Sequence, residues 1–295
     1  MQTMIRTTTP PTPRMPGRLE RRLYGLLHAA LSKFSEWYCA WLGIAWDANI
    51  RQLPFGLLIK STGRCGLSEY AAMKMARAAG MPVPRALSCG DHPNDELRRV
   101  SILMTRLPGE EMINSRQPLD LYAEEPWVFE LKGCIEAMRK WQSPYSMSIC
   151  SPLGTSIRSL RVPRHEMGPF ESEEELHDYL LSTASSHAHP SAAAFEKDME
   201  KANEIRATSH RSVFTHGDLW PHNVLVAEDG HLKGILDWET AGWLPEYWEF
   251  TTIMKRCSGT WWYLVAIWMG GDHYEHELEC EKAVHRLTVD SWIGM

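Results

Sequence analysis

Residues 19 to 46 are rich in Leu, Ala and aromatic side chains, and their spacing predicts a long helix ahead of the main fold. Its apolar stripe reads as a packing face. Leu53 to Lys60 reads as a short strand. Ser68 is placed to cap a helix running to Ala79, and Gly80 supplies a left-handed stop before Pro82 and Pro84. The mostly apolar run from Val100 to Leu107 predicts a buried strand that ends at the Pro108-Gly109 turn, a boundary between two lobes. From Pro126 onward the pattern is helical, with helices near Trp127 to Trp141, Ser172 to Leu181 and Ala192 to Thr208. Two short strands interrupt it, Asn223 to Ala227 and Leu232 to Leu236, joined by a Glu228-Asp229-Gly230 turn, and helices resume at Glu246.

A chain of 295 residues, 44% of them hydrophobic, can bury one large core or two modest lobes. The expected division is a disordered tail over 1–18, an N-terminal helix and small lobe over 19–107, and a helical lobe over 108–295. With a net charge of -6 and no run of Lys and Arg, the chain lacks the phosphate-neutralising face of a nucleic-acid binder. The seven cysteines are scattered without a CxxC pair, which argues against zinc and for a reducing, cytoplasmic compartment. Apolar runs fall short of the roughly 20 residues that span a bilayer, so no membrane partner is expected. Arg6, Arg14 and Arg18 precede the first acidic residue, Glu20, as in a transit peptide, but Pro10, Pro11, Pro13 and Pro16 favour the disordered tail.

Candidate chemistry gathers in Phe214 to Gly242, where polar residues sit at the ends of apolar strands. His216-Gly217-Asp218 precedes the predicted hairpin, Asn223 follows Asp218 by five positions, and Asp237 lies just beyond the second strand. Phosphoryl transfer needs a carboxylate to orient the attacking hydroxyl and accept its proton, and oxygen ligands to hold Mg²⁺ against the phosphates. Asp218 suits the first task. Asn223 and Asp237, one neutral oxygen and one anionic, suit the second.

The H-x-D-x-x-x-x-N spacing followed by a strand and an Asp is that of protein-kinase-like enzymes. The wording HGDLWPHNVLV, then GILDWETAGWLPEYWE, closely resembles the aminoglycoside phosphotransferase family, especially the eukaryotic group whose loop ends in an EYWE run. The resemblance spans roughly Leu53 to Leu287. It implies a bilobal, protein-kinase-like α+β fold with ATP between the lobes, and transfer of its γ-phosphoryl group to a hydroxyl of a small metabolite. By that resemblance Asp218 is the base, His216 supports its loop, Asn223 and Asp237 hold Mg²⁺, and Lys60 contacts the α and β phosphates, fixed by Glu69. Met104 borders the adenine, and the backbone of Thr105 and Leu107 hydrogen-bonds it. One departure is that no Gly-rich loop precedes Lys60; a short turn within Gly43 to Leu53, or Ser61 to Arg64, is left to cover the phosphates. Two other readings stay open: a non-catalytic scaffold, and a kinase-like cleft turned to a conversion that transfers no phosphate.

Other clusters read as structural. His187 and His189 lie in a Ser/Ala/Pro-rich loop without a nearby acid and are taken as solvated, and His273, His276 and Glu277 lack the spacing of a zinc site. Trp238, Trp243, Trp248, Trp261 and Trp262 are assigned to the core over an acceptor-binding wall. Asp272, Glu275, Glu277, Glu279 and Glu281 are assigned to a solvated helix face over an amine site.

Overall fold

The computed structural model describes residues 5–92, 100–114 and 125–291. Helix α1 (Arg18–Leu42) precedes an antiparallel hairpin of β1 (Ile50–Leu53) and β2 (Leu57–Lys60). The run expected as one strand is therefore two. Pro54 opens the turn, and Phe55 and Gly56 both take positive φ, 61° and 66°, as a tight hairpin requires. Helix α2 (Leu67–Ala78) follows; its N-cap is Gly66, so Ser68 lies inside the first turn and does not cap it. Then come β3 (Ala86–Asp91) and β4 (Val100–Thr105), giving a four-stranded sheet in the order β1-β2-β4-β3 with Lys60 opposite Ile102. Buried Ile102, Met73 and Met75 share the core where α2 packs on one face of this sheet, and Ile59, next to Lys60 on β2, is buried on the other face.

The chain continues through β5 (Glu110–Glu111), α3 (Pro126–Arg139), the β6 (Ile157–Ser159) and β7 (Val162–Met167) hairpin, α4 (Glu173–Leu181) and α5 (Ala192–Asn203). Strands β8 (Ser212–Thr215), β9 (Val224–Val226), β10 (Leu232–Ile235) and β11 (Gly242–Pro245) lead into α6 (Trp248–Arg256), α7 (Trp261–Trp268) and α8 (Glu275–Thr288). β10, β9 and β5 form one small sheet and β11 pairs with β8 in another. The fold is bilobal α+β: a sheet-containing lobe and a mostly helical one. Trp238, Trp243, Trp248 and Trp262 are at most 1% exposed, and Trp262 stacks on Trp127, so these rings fill the core as expected. No described helix is long and apolar enough to cross a membrane.

Two expectations are reversed. Residues 5–17 do not behave as a free tail: the Arg6 amide donates to Ala79 O at 2.8 Å, the Trp141 indole donates to Arg6 O, and the Thr9 hydroxyl bonds the backbone of Gln142. Prolines stiffen this segment into an extended run that the body can bind with little further loss of entropy. The second reversal concerns α1. Its inward face is small and polar, formed by Gly25, His28, Ser32, Ser35 and Cys39, while Leu19, Leu23, Leu26, Trp37 and Trp41 are each more than half exposed. Close approach explains the inversion. A Cβ on Gly25 would lie 1.7 Å from Asp91 O, and His28 bridges Ser101 at 2.7 Å and Ser88 at 2.8 Å.

Candidate active site

The loop from His216 to Asn223 is held from two sides, by the β8/β11 ladder, which sets Thr215 opposite Gly242, and by the β9/β10 hairpin. His216 Nε2 donates to Leu236 O at 2.8 Å, and its Nδ1 accepts the Asp218 amide at 3.2 Å. Both bonds need the neutral, Nε2-protonated ring, and complete burial pushes its pKa down to about 4. The Glu249 carboxylate accepts the amides of His216 at 2.7 Å and Gly217 at 3.2 Å, and the Thr240 hydroxyl donates to His216 O. Gly217 has φ +80°, and a Cβ there would meet Thr240 O at 2.8 Å, so the turn admits only glycine without displacement. His216 thus ties the backbone of Asp218 to that of Leu236.

Asp218 is buried, and desolvation followed by the charge of Asp237 raises its carboxyl to about 6, with His222 and Arg256 pulling it back. That places the group near neutrality, where a general base is most effective. Asn223 donates its Nδ2 to Asp218 O at 2.8 Å, a bond that leaves the amide oxygen Oδ1 as the acceptor atom of the side chain.

Lys60 brings the two lobes together. Its Nζ lies 2.8 Å from Glu69 Oε1, 2.5 Å from Asp237 Oδ1 and 3.4 Å from Glu239 Oε2. Burial opposes the ammonium charge, yet the three carboxylates outweigh it and hold Lys60 protonated. One lysine cannot satisfy three acids. Glu69, fully enclosed, is raised by burial to about 7 despite Lys60, whereas for Asp237 burial is overcome by Lys60 and the carboxyl stays below its usual range. Arg64, half exposed, adds its charge to Glu239 at 2.9 Å. Asp237 itself sits in the left-handed region at φ 58°, uncommon for a non-glycine residue and consistent with a turn held for function.

A cleft of about 450 Å³ opens above this cluster. Leu58, Pro84, Met104, Leu225 and Leu236 give it apolar walls, and Lys60, Glu69, Asn223 and Asp237 a polar end. Asp218 does not line it and lies beyond Asn223. Thr105 and Leu107 border the cleft, but the Thr105 amide donates to Arg85 O at 3.1 Å, so Thr105 offers a base no N–H. The phosphate cover also differs from a kinase's. Lys60 is on the second strand of the chain instead of the third, so one strand alone precedes it and no hairpin arches over the phosphate end among the described residues.

A family model described as the phosphotransferase enzyme family matches residues 66–275. The chain belongs to that family. It is a phosphotransferase. No curated protein matches it in sequence. Among solved structures it is similar to aminoglycoside phosphotransferase APH(4)-Ia, with 13% identity, a TM-score of 0.57, and 84% of this chain covering 83% of that one. A ternary complex of a thermostable APH(4)-Ia mutant with AMP-PNP and hygromycin B gives a TM-score of 0.54 at 13% identity, covering 82% of each chain. The GDP complex of aminoglycoside 2'-phosphotransferase-IIIa gives 0.53 at 9% identity, covering 82% of this chain and 81% of that one. These likenesses establish the shared fold.

Three residues that pack around the candidate site are not singled out by the sequence: Glu239, Glu249 and Arg256. Glu239 and Glu249 lie inside the quoted ILDWE and EYWE runs, where two buried carboxylates within apolar text were the available signal. Arg256 stacks on the Trp220 ring at 4.6 Å, two positions from Asp218. Of the predicted acidic face, Asp272, Glu275 and Glu279 are exposed as expected, whereas Glu277 is buried against His210 and Glu281 against Arg161. His189, expected in solvent, is 5% exposed and paired with Asp198 at 3.1 Å, an acid the loop reading did not reach. His276 lies near Glu204 and Cys280, a trio remote from the cleft.

Proposed function

We propose that this phosphotransferase uses ATP as donor, with adenine between Met104 and Leu236 and the phosphates at Lys60. Convergence carries the reading: Lys60, Asn223 and Asp237 close one end of the cleft, and Asp218 stands just past them. The donor set fits Mg²⁺, since a neutral amide oxygen and a carboxylate are hard ligands, and the buried Glu69 and Glu239 with the partly buried Asp237 against Lys60 leave the cluster short of positive charge. When bound, Mg²⁺ neutralises phosphate charge. Lys60, steadied by Glu69, orients the phosphates. Asp218 aligns the acceptor hydroxyl and takes its proton, while His216, Thr240 and Glu249 keep Asp218 in place. Of the two hinge positions, Leu107 is the amide donor to the base and Thr105 serves through its carbonyl. The lobe boundary at 107/108, a cytoplasmic location and the eukaryotic branch belong to the same proposal. They are supported, in turn, by the Pro108-Gly109 turn, by seven free, buried cysteines and by the EYWE wording.

Thermal shift with millimolar ATP tests this directly. Stabilisation that needs Mg²⁺ in the wild type and is absent from Asp237→Ala is expected, because a ligand of the folded state stabilises by RT ln(1 + [L]/Kd). No stabilisation with either form would return the cleft to the scaffold or repurposed readings.

The acceptor side favours an uncharged or anionic molecule over a polyamine. Arg256 borders Asp218 through Trp220 and also lines a hollow of about 410 Å³ with Lys255 and with Arg161, Lys282 and Arg286, the last three already paired with Glu281, Glu279 and Asp198. Labelled-ATP screening is expected to find turnover among hydroxy acids and sugar phosphates. Arg256→Met should raise KM for those acceptors about tenfold, the equivalent of one charge-assisted contact of roughly 1.4 kcal/mol. Turnover confined to polycationic acceptors would refute this preference.

A further inference from the structure

The exposed apolar stripe of α1 is self-complementary. Along it lie Leu19, Leu23, Leu26, Ala30, Phe34, Trp37 and Trp41, all exposed, with successive spacings of four, three, four, four, three and four residues. At 100° per residue they share one face. The opposite face, with Gly25, His28, Ser32, Ser35 and Cys39, meets the sheet of the same lobe. The spacing reads the same in both directions about Ala30. Two such helices laid antiparallel, with a two-fold axis through Ala30, therefore set Leu26 against Phe34, Leu23 against Trp37 and Leu19 against Trp41. The aromatic half of each helix covers the leucine half of the other, and the small Ala30 lets the axes approach at the centre.

We infer that this face pairs with a second copy of the chain in an isologous, antiparallel α1–α1 dimer centred on Ala30. Three further observations favour this occupant. The helix has 25 residues and is about 37 Å long. Its exposed side chains offer apolar area on the order of the roughly 800 Å² per partner that a standard interface buries. Such a contiguous patch exceeds what monomers ordinarily leave in water. Trp37 and Trp41 are already stacked at 5.9 Å, so little rotamer freedom remains to be lost on pairing. The dimer does not depend on what the cleft binds.

Sedimentation of the full chain at micromolar concentration is expected to give twice its 33.8 kDa mass, and Leu23→Glu with Trp37→Glu to give a monomer with unchanged circular dichroism. Register is tested by cysteine cross-linking, for which the buried native thiols leave a quiet background. Oxidised Ala30→Cys should form a disulfide with its own copy. Leu23→Cys should not do so alone, but should join Trp37→Cys when the two variants are mixed. A monomeric wild type overturns the proposal, and one that instead sediments with anionic lipid vesicles would assign the stripe to a membrane surface. Self-linking at positions 23, 30 and 37 alike would show parallel helices and overturn the register.

Discussion

Asp218→Asn is expected to slow phosphoryl transfer by about 10²–10⁴-fold while leaving nucleotide-dependent stabilisation within twofold of wild type. The asymmetry follows from position, because Asp218 lies outside the cleft lining and makes no contact with Lys60. Its carboxyl titrates near 6 in the fold, raised first by burial and then by Asp237, and it works as a base only when ionised. Wild-type turnover should therefore rise with pH through about 6 and level off above it. The Asn variant should lose that inflection along with its rate. A variant that turns over normally would remove Asp218 from the reaction, and one that loses nucleotide binding equally would make it a structural residue.

Lys60→Met should produce the largest loss of stability, about 3–5 kcal/mol near pH 8, since it strands Glu69, Asp237 and Glu239 without their shared cation. The loss has a defined pH dependence. Glu69 already titrates near 7 against an ordinary 4.5, so the folded form binds its proton more tightly than the unfolded chain does. The stability this contributes is fully present below 4.5 and disappears as pH rises through the folded value. Without Lys60 that value climbs further. The variant should be closest to wild type near pH 5 and worst above pH 7, as denaturant titrations at the two pH values would show. An equal deficit at both would mean that lost packing of the lysine stem, and not stranded charge, is the cause.

The proposed catalytic set was legible because polar residues at the ends of apolar strands stand out from their surroundings, and because Asp218, Asn223 and Asp237 lie within twenty positions, joined by one hairpin. Lys60 and Glu69 needed the resemblance: a strand-end lysine and a first-turn glutamate are ordinary by themselves. Glu239 and Glu249 were harder to place, since an acid within apolar text hints at burial but does not say whether it pairs with a lysine, as Glu239 does, or caps buried amides, as Glu249 does. The Pro54 turn was lost inside an apolar run, because alternation over eight residues fits one strand as well as two short ones. Helix α1 shows a different limit. Periodicity locates a stripe but not the side that faces the protein, and here Gly25 and two serines permit an approach that bulky residues would prevent.

Helix α6 touches the catalytic loop at both of its ends. Glu249 in its first turn holds the amides of His216 and Gly217, and Arg256 at its last residue covers Trp220. The loop is thus clamped along a nine-residue rod and has no independent hinge. Its amide protons should exchange with solvent at the rate of the α6 backbone, so that loop and helix open as one cooperative unit. An acceptor that leans on Arg256 would then tighten the far end of the same rod.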